Sequence, residues 1–87
     1  MSMYFVYILK STDYNQIYTG YTSNLRGRLV NHNNGSSRHT SKYKPWELVV
    51  CIGFRSKISA LEFERYLKSG SGIAFARRHL LQDLRRH

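Results

Sequence analysis

Acidic side chains are scarce in this sequence. Five Asp and Glu stand against fourteen Lys and Arg, a net charge of +9 over 87 residues. There is one cysteine, so no internal disulfide can form, and no Cys/His cluster offers a zinc site. That residue, Cys51, lies in the apolar run Leu48-Val49-Val50-Cys51-Ile52 and is expected to be a small buried hydrophobe. No apolar run approaches the roughly 20 residues of a membrane helix. The start, MSMYFVYILK, has no basic segment ahead of an apolar core and does not read as a signal peptide. A cytoplasmic or nucleoid-associated location is the expectation. Internal repeats are absent. So are a zinc finger and a helix-turn-helix segment, which argues against sequence-specific nucleic-acid recognition by the chain alone.

What is present is aromatic and basic. A hydrophobic fraction of 41% with 14% aromatics is enough for a folded globule with one modest core, read as a single domain over 1–87. The excess positive charge strains so small a domain, and a polyanion relieves it, nucleic acid being the commonest. A merely basic soluble protein is the alternative. An anionic membrane fits less well, because the cations are spread along the whole chain.

Tyr4 to Lys10 reads as a strand with apolar or aromatic residues on both faces, hence central and covered on both sides. Residues 11 to 15, Ser-Thr-Asp-Tyr-Asn, are turn chemistry, and Ile17 to Tyr21 returns as its antiparallel partner. Tyr7 and Tyr18 can then stand near each other on neighbouring strands. Thr22, Ser23 and Asn24 are N-cap types for a helix running to about Asn33, with Leu25 and Leu29 on one stripe and Arg28 and His32 at its edge. Gly27 weakens that helix by about 1 kcal/mol, which close approach of another backbone would explain. Asn34-Gly35 ends it. A polar loop, Ser36 to Pro45, precedes a third strand, Trp46 to Phe54. Its lack of hydrophobic anchors suggests a loop that is mobile until nucleic acid arrives. Ser56 caps a second helix to about Ser69, Gly70-Ser71-Gly72 breaks it, and a last amphipathic helix spans Ile73 to Leu84. The order β-β-α-β-α-α predicts an α+β fold on a small three-stranded antiparallel sheet.

Among the five acids, Glu64 has Ala60, Leu61 and Leu67 as helical neighbours, with Lys68 its one charged neighbour, so it sits at the border of the buried face. A carboxylate there needs a metal, a cation or several donors. A border glutamate in a salt bridge is the plainer reading. Arg28 can lay its stem along the sheet and grip phosphate with its guanidinium, or it can be a solvated charge. Tyr43 can stack on a base or be an exposed loop aromatic. Tyr4 and Tyr21 read as packing.

These residues resemble the GIY-YIG nuclease family. Its two named triplets fall on adjacent strands, matched loosely by Val6-Tyr7-Ile8 and well by Tyr18-Thr19-Gly20. The family's helical arginine matches Arg28 in Leu25-Arg26-Gly27-Arg28-Leu29-Val30-Asn31-His32-Asn33, a frequent histidine one turn on matches His32, and its glutamate matches Glu64 in Ala60-Leu61-Glu62-Phe63-Glu64. The resemblance covers residues 4 to about 70 and is nearest to small stand-alone members. The first triplet has Phe5 where the family has glycine, and the second has Thr19 for isoleucine; neither change touches a tyrosine. The family's C-terminal asparagine has no counterpart.

The resemblance implies phosphodiester hydrolysis in DNA, with RNA also open, using one Mg²⁺ or Mn²⁺ held by Glu64. Arg28 is then expected to clamp the phosphate oxygens and Tyr7 to act as general base. Its phenol, with an ordinary pKa of about 10, would have to be lowered by Lys10, Arg28 or the ion. Tyr18 orients the water or shares that role, and the order of the two tyrosines stays open. His32 either holds a tyrosine hydroxyl or is structural. Lys10, Arg26, Arg38, Lys42, Lys44, Arg77 and Arg78 are the expected nucleic-acid contacts, Arg26 pointing outward, and the tail Arg85-Arg86-His87 can extend that footprint. Two rival readings are a nucleic-acid-binding module of the same fold with little or no catalysis, and an interaction domain that a protein partner targets.

Overall fold

The computed structural model describes residues 2–82. Its elements are β1 (Tyr4–Ser11), β2 (Ile17–Thr22), α1 (Leu25–Asn33), β3 (Trp46–Phe54), α2 (Lys57–Leu67) and α3 (Gly70–His79), with a 3-10 turn at Ser41–Tyr43. The order is the one expected from the sequence. All pairings are antiparallel and the strand order is β2-β1-β3.

β1 is central, and its two apolar faces are covered by different layers. Val6 and Ile8 join Ala60, Leu67 and Ala76 beneath α2 and α3. Tyr7 and Leu9 join Trp46, with Tyr18, Leu25 and Leu29 packed around them, on the α1 side. Strand alternation thus sends each successive residue of β1 into a different core. Tyr4 and Tyr21 do pack, as a stacked pair with ring centroids 6.5 Å apart on the α2 side. The register slips by one between Ile8 and Leu9, leaving Val49 as the extra residue of β3.

Each helix starts on a side-chain cap. Asn24 accepts from the Gly27 amide at 3.1 Å and Ser56 from Ser59 at 3.2 Å. Gly27 is explained by that cap: a Cβ there would run into the Asn24 carboxamide, not into another backbone as anticipated. Asn33, at the end of α1, uses its carboxamide as both donor and acceptor to the Trp46 backbone, fixing where β3 begins.

Gly70-Ser71-Gly72 does not interrupt the chain between helices; it forms the first turn of α3. The corner is made by Ser69, whose hydroxyl donates to the Tyr66 carbonyl at 2.6 Å and accepts from the Gly72 amide at 3.1 Å. Gly72 is buried directly against the Tyr66 carbonyl, where no Cβ fits. The glycine therefore permits close packing of the helices. α3 ends at His79, short of the expected Leu84. Ala76 is buried in its core-facing side, with Phe75, Leu80 and Leu81 packed beside it, while Ile73 is exposed. Leu84 and the cations of the C-terminal tail lie outside the described residues.

Cys51 is exposed, contrary to expectation. It pairs with Tyr7 across the sheet, but it lies on β3, an edge strand. Among the described residues, no helix is long and apolar enough to cross a membrane.

Candidate active site

Tyr7 leaves β1 on the α1 side and passes over Gly20, its partner in β2. A Cβ at Gly20 would fall inside contact distance of the Tyr7 hydroxyl and 2.9 Å from Tyr18 Cε2. The glycine of the second triplet is therefore the gap through which the first tyrosine reaches its neighbours. The two tyrosine rings lie 6.2 Å apart, and the Tyr18 ring is 4.9 Å from the imidazole of His32.

α1 supplies the polar partners. His32 is fully buried rather than at the border of its stripe, and its Nε2 lies 2.9 Å from the Tyr7 hydroxyl. Arg28, one turn earlier and half-buried, directs its guanidinium to the hydroxyls of Tyr7 and Tyr18, and these contacts hold it protonated. The structure brings Tyr7, Tyr18, Arg28 and His32 into one cluster.

The electrostatics of Tyr7 differ from the expected lowering. Burial pushes the phenol above its ordinary 10.0; the hydrogen bond from Arg28 pulls down and is outweighed. Lys10 is not among the charges acting on it. Its ammonium donates to the Ser11 carbonyl at 3.0 Å, and it alternates to the other side of β1. Burial, followed by the Arg28 charge, pushes His32 below its usual 6.5, so the imidazole is neutral at pH 7.

Glu64 comes from α2 and stands at the border position its neighbours predict. It is half-buried, pairs with Lys68 at 3.0 Å, and lies near enough to Tyr7 for its charge to oppose loss of the phenol proton. No group of three or more His, Cys, Asp or Glu converges among the described residues.

Of the expected nucleic-acid contacts, Arg26, Arg38, Lys42, Lys44, Arg77 and Arg78 are exposed and Lys10 is half-buried. Arg77 lines a cavity with Lys68, Tyr18 and Thr19 on the α3 side of β2. The basic loop is tied down rather than unanchored. Thr40 is buried within it, the Trp46 indole donates to the Thr40 carbonyl at 2.9 Å, and the Ser11 hydroxyl donates to the Tyr43 carbonyl at 2.7 Å. Tyr43 is half-buried rather than an exposed loop aromatic: it packs on the α1-side core and meets Tyr14 edge-on at 5.5 Å. Thr40 and Trp46 were not singled out from the sequence, since a threonine in a polar loop and a tryptophan opening a strand carry no distinguishing spacing.

The chain is similar to known proteins over most of its length. The model of the GIY-YIG catalytic domain matches residues 3–73. A UPF0213 protein of Staphylococcus haemolyticus is 39% identical over 72 residues, covering 82% of this chain and 87% of that protein. The structure-specific endonuclease subunit slx1 of Aspergillus fumigatus is 37% identical over 89 residues, covering 84% of this chain but 21% of that longer protein. The solution NMR structure of a UPF0213 protein from Bacillus halodurans matches with a TM-score of 0.51 at 30% identity, over 97% of this chain and 84% of that one. By the family match and by these relatives, the chain belongs to the GIY-YIG family.

Proposed function

We propose that the chain is an endonuclease domain that hydrolyses phosphodiester bonds in DNA with one divalent ion and little sequence preference of its own. One observation carries the reading: a buried phenol, Tyr7, is held between a guanidinium and a neutral imidazole, beside a half-buried carboxylate. A module that only binds nucleic acid has no use for a carboxylate facing phosphate. The relatives named structure-specific endonuclease subunit support a nuclease.

Water attacks phosphorus, a new P–O bond forms, and the bond to the 3′ oxygen breaks, the 3′ oxygen leaving with the bonding pair and taking a proton from solvent. Tyr7 takes the proton of the attacking water as its own proton passes to His32 Nε2, 2.9 Å away. That transfer answers the raised phenol: the proton has a buried acceptor already in contact. Tyr18 orients the water. Arg28, with donors directed at both hydroxyls, clamps the non-bridging oxygens.

Glu64 suits a divalent ion. The i,i+4 pair with Lys68, whose ammonium end is exposed, is worth about 0–1 kcal/mol and gives way readily. Mg²⁺ commonly takes one or two carboxylates and keeps several waters. When bound, such an ion supplies charge stabilisation at the phosphate and the leaving oxygen.

A nicking assay tests the reading, with plain, flapped and branched DNA and with RNA, in Mg²⁺, Mn²⁺ or chelator. The expected result is metal-dependent cutting that Glu64→Ala and Arg28→Ala abolish. Equal cutting by wild type and Glu64→Ala contradicts it, and binding without cutting in every condition leaves the binding-module reading.

A further inference from the structure

Thr40 is the one buried residue between positions 36 and 45, in a loop that otherwise presents Arg38, His39, Lys42 and Lys44 outward. Its side chain meets the active-site cluster from behind, with Oγ1 2.7 Å from Nδ1 of His32. Its backbone is fixed on both sides. The carbonyl accepts from Trp46 Nε1 at 2.9 Å and from the Tyr43 amide at 3.1 Å, and the Thr40 amide donates to Ser37 at 3.2 Å.

The positions of the protons follow from the partners. The Tyr7 hydroxyl touches Arg28, which has donors and no acceptor, and Nε2 of His32. The phenol proton therefore goes to Nε2, and that nitrogen must be bare. A neutral imidazole then carries its single proton on Nδ1, donated to Thr40 Oγ1. If the Thr40 oxygen is removed, a buried N–H is left without an acceptor. The imidazole avoids that by moving its proton to Nε2, where it faces Tyr7 and closes the acceptor.

We propose that Thr40 is a positioning residue for Tyr7: its hydroxyl oxygen holds His32 in the Nδ1–H tautomer and so keeps Nε2 open to the phenol proton. The kinetic consequence rests on the nuclease reading; the tautomer does not. Because Thr40 also anchors the basic loop, a merely structural role has its own signature: weaker substrate binding with the tautomer unchanged.

The test is imidazole ¹⁵N NMR on the full chain at neutral pH, with His32 assigned by its loss in His32→Gln, alongside kcat and KM for wild type, Thr40→Val and Thr40→Ser. Wild type and Thr40→Ser are expected to have Nδ1 protonated. Thr40→Val is expected to move the proton to Nε2 and to lower kcat about tenfold or more with KM unchanged. A wild-type Nε2–H tautomer overturns the proposal even if Thr40→Val does not fold. So does Thr40→Val that keeps the tautomer, whether or not KM rises. If the tautomer moves as stated but the wild type cuts no substrate, the positioning role stands and the nuclease reading fails.

Discussion

The two sides of β1 differ in kind. Val6 and Ile8 face a layer of Ala60, Leu67 and Ala76, closed off by Phe63 and Phe75, in which none of the described residues buries a polar side chain. Tyr7 and Leu9 face a layer whose middle is His32, with Thr40 behind it and Arg28 at its rim. Residues that follow one another in the chain thus serve separate ends. The α2–α3 side holds the domain together by apolar burial, and the α1 side keeps a buried polar cluster that is tolerable because its members satisfy one another. A small domain with one central strand can place a polar cluster, here the candidate site, next to its apolar core without putting it in that core.

The largest effect expected from breaking this division is on stability. Ile8→Ala should cost about 2–5 kcal/mol in denaturant unfolding, while cleavage per folded molecule stays near wild type. Gly20→Ala should do the reverse in emphasis. Its methyl displaces the Tyr7 hydroxyl and ring tip, at about 1–3 kcal/mol of overpacking. Cleavage by the folded fraction should fall further than that loss explains. A Gly20→Ala protein that unfolds as expected yet cuts normally would separate the triplet glycine from the site.

The polar side should also carry a pH signature. His32 sits below 6.5 in the folded state because of burial and, secondarily, Arg28. As pH falls below the unfolded value, the unfolded chain takes the proton first. This contribution to stability is therefore complete above about pH 6.5 and is lost as pH drops towards the depressed folded value. Unfolding free energies between pH 8 and 5 should show that slope, and His32→Gln should flatten it. The smallest expected effects lie on the basic loop. Arg38→Ala and Lys42→Ala should each weaken DNA binding and reduce its salt slope by about one, with no change in melting temperature.

The strands were legible because alternation and turn residues are local signals, and β1 announced its central place by having no polar face. Tyr7, Tyr18, Arg28, His32 and Glu64 could be named from the sequence as a candidate set, and the fold brings them near one another, although spacing alone left each with a plainer reading. What was not legible depends on contacts across the sequence. Cys51 looks buried from its neighbours, but exposure is decided by which strand forms the edge. Gly70 and Gly72 look like breakers, but Ser69 had already turned the chain. Thr40 lies in a polar loop, and only the fold brings it against a histidine eight residues earlier. The lowering of Tyr7 expected from nearby cations did not account for how completely the ring would be buried.

The proposed chemistry turns on Tyr7, and Tyr7→Phe tests it most directly. The change removes one oxygen from the polar side and leaves the ring. It strands the His32 acceptor at about 1–3 kcal/mol, which melting will register. Measured on the folded protein, cleavage should fall at least about a hundredfold with DNA binding unchanged. Cleavage at the wild-type rate by Tyr7→Phe would contradict it and return this tyrosine to packing.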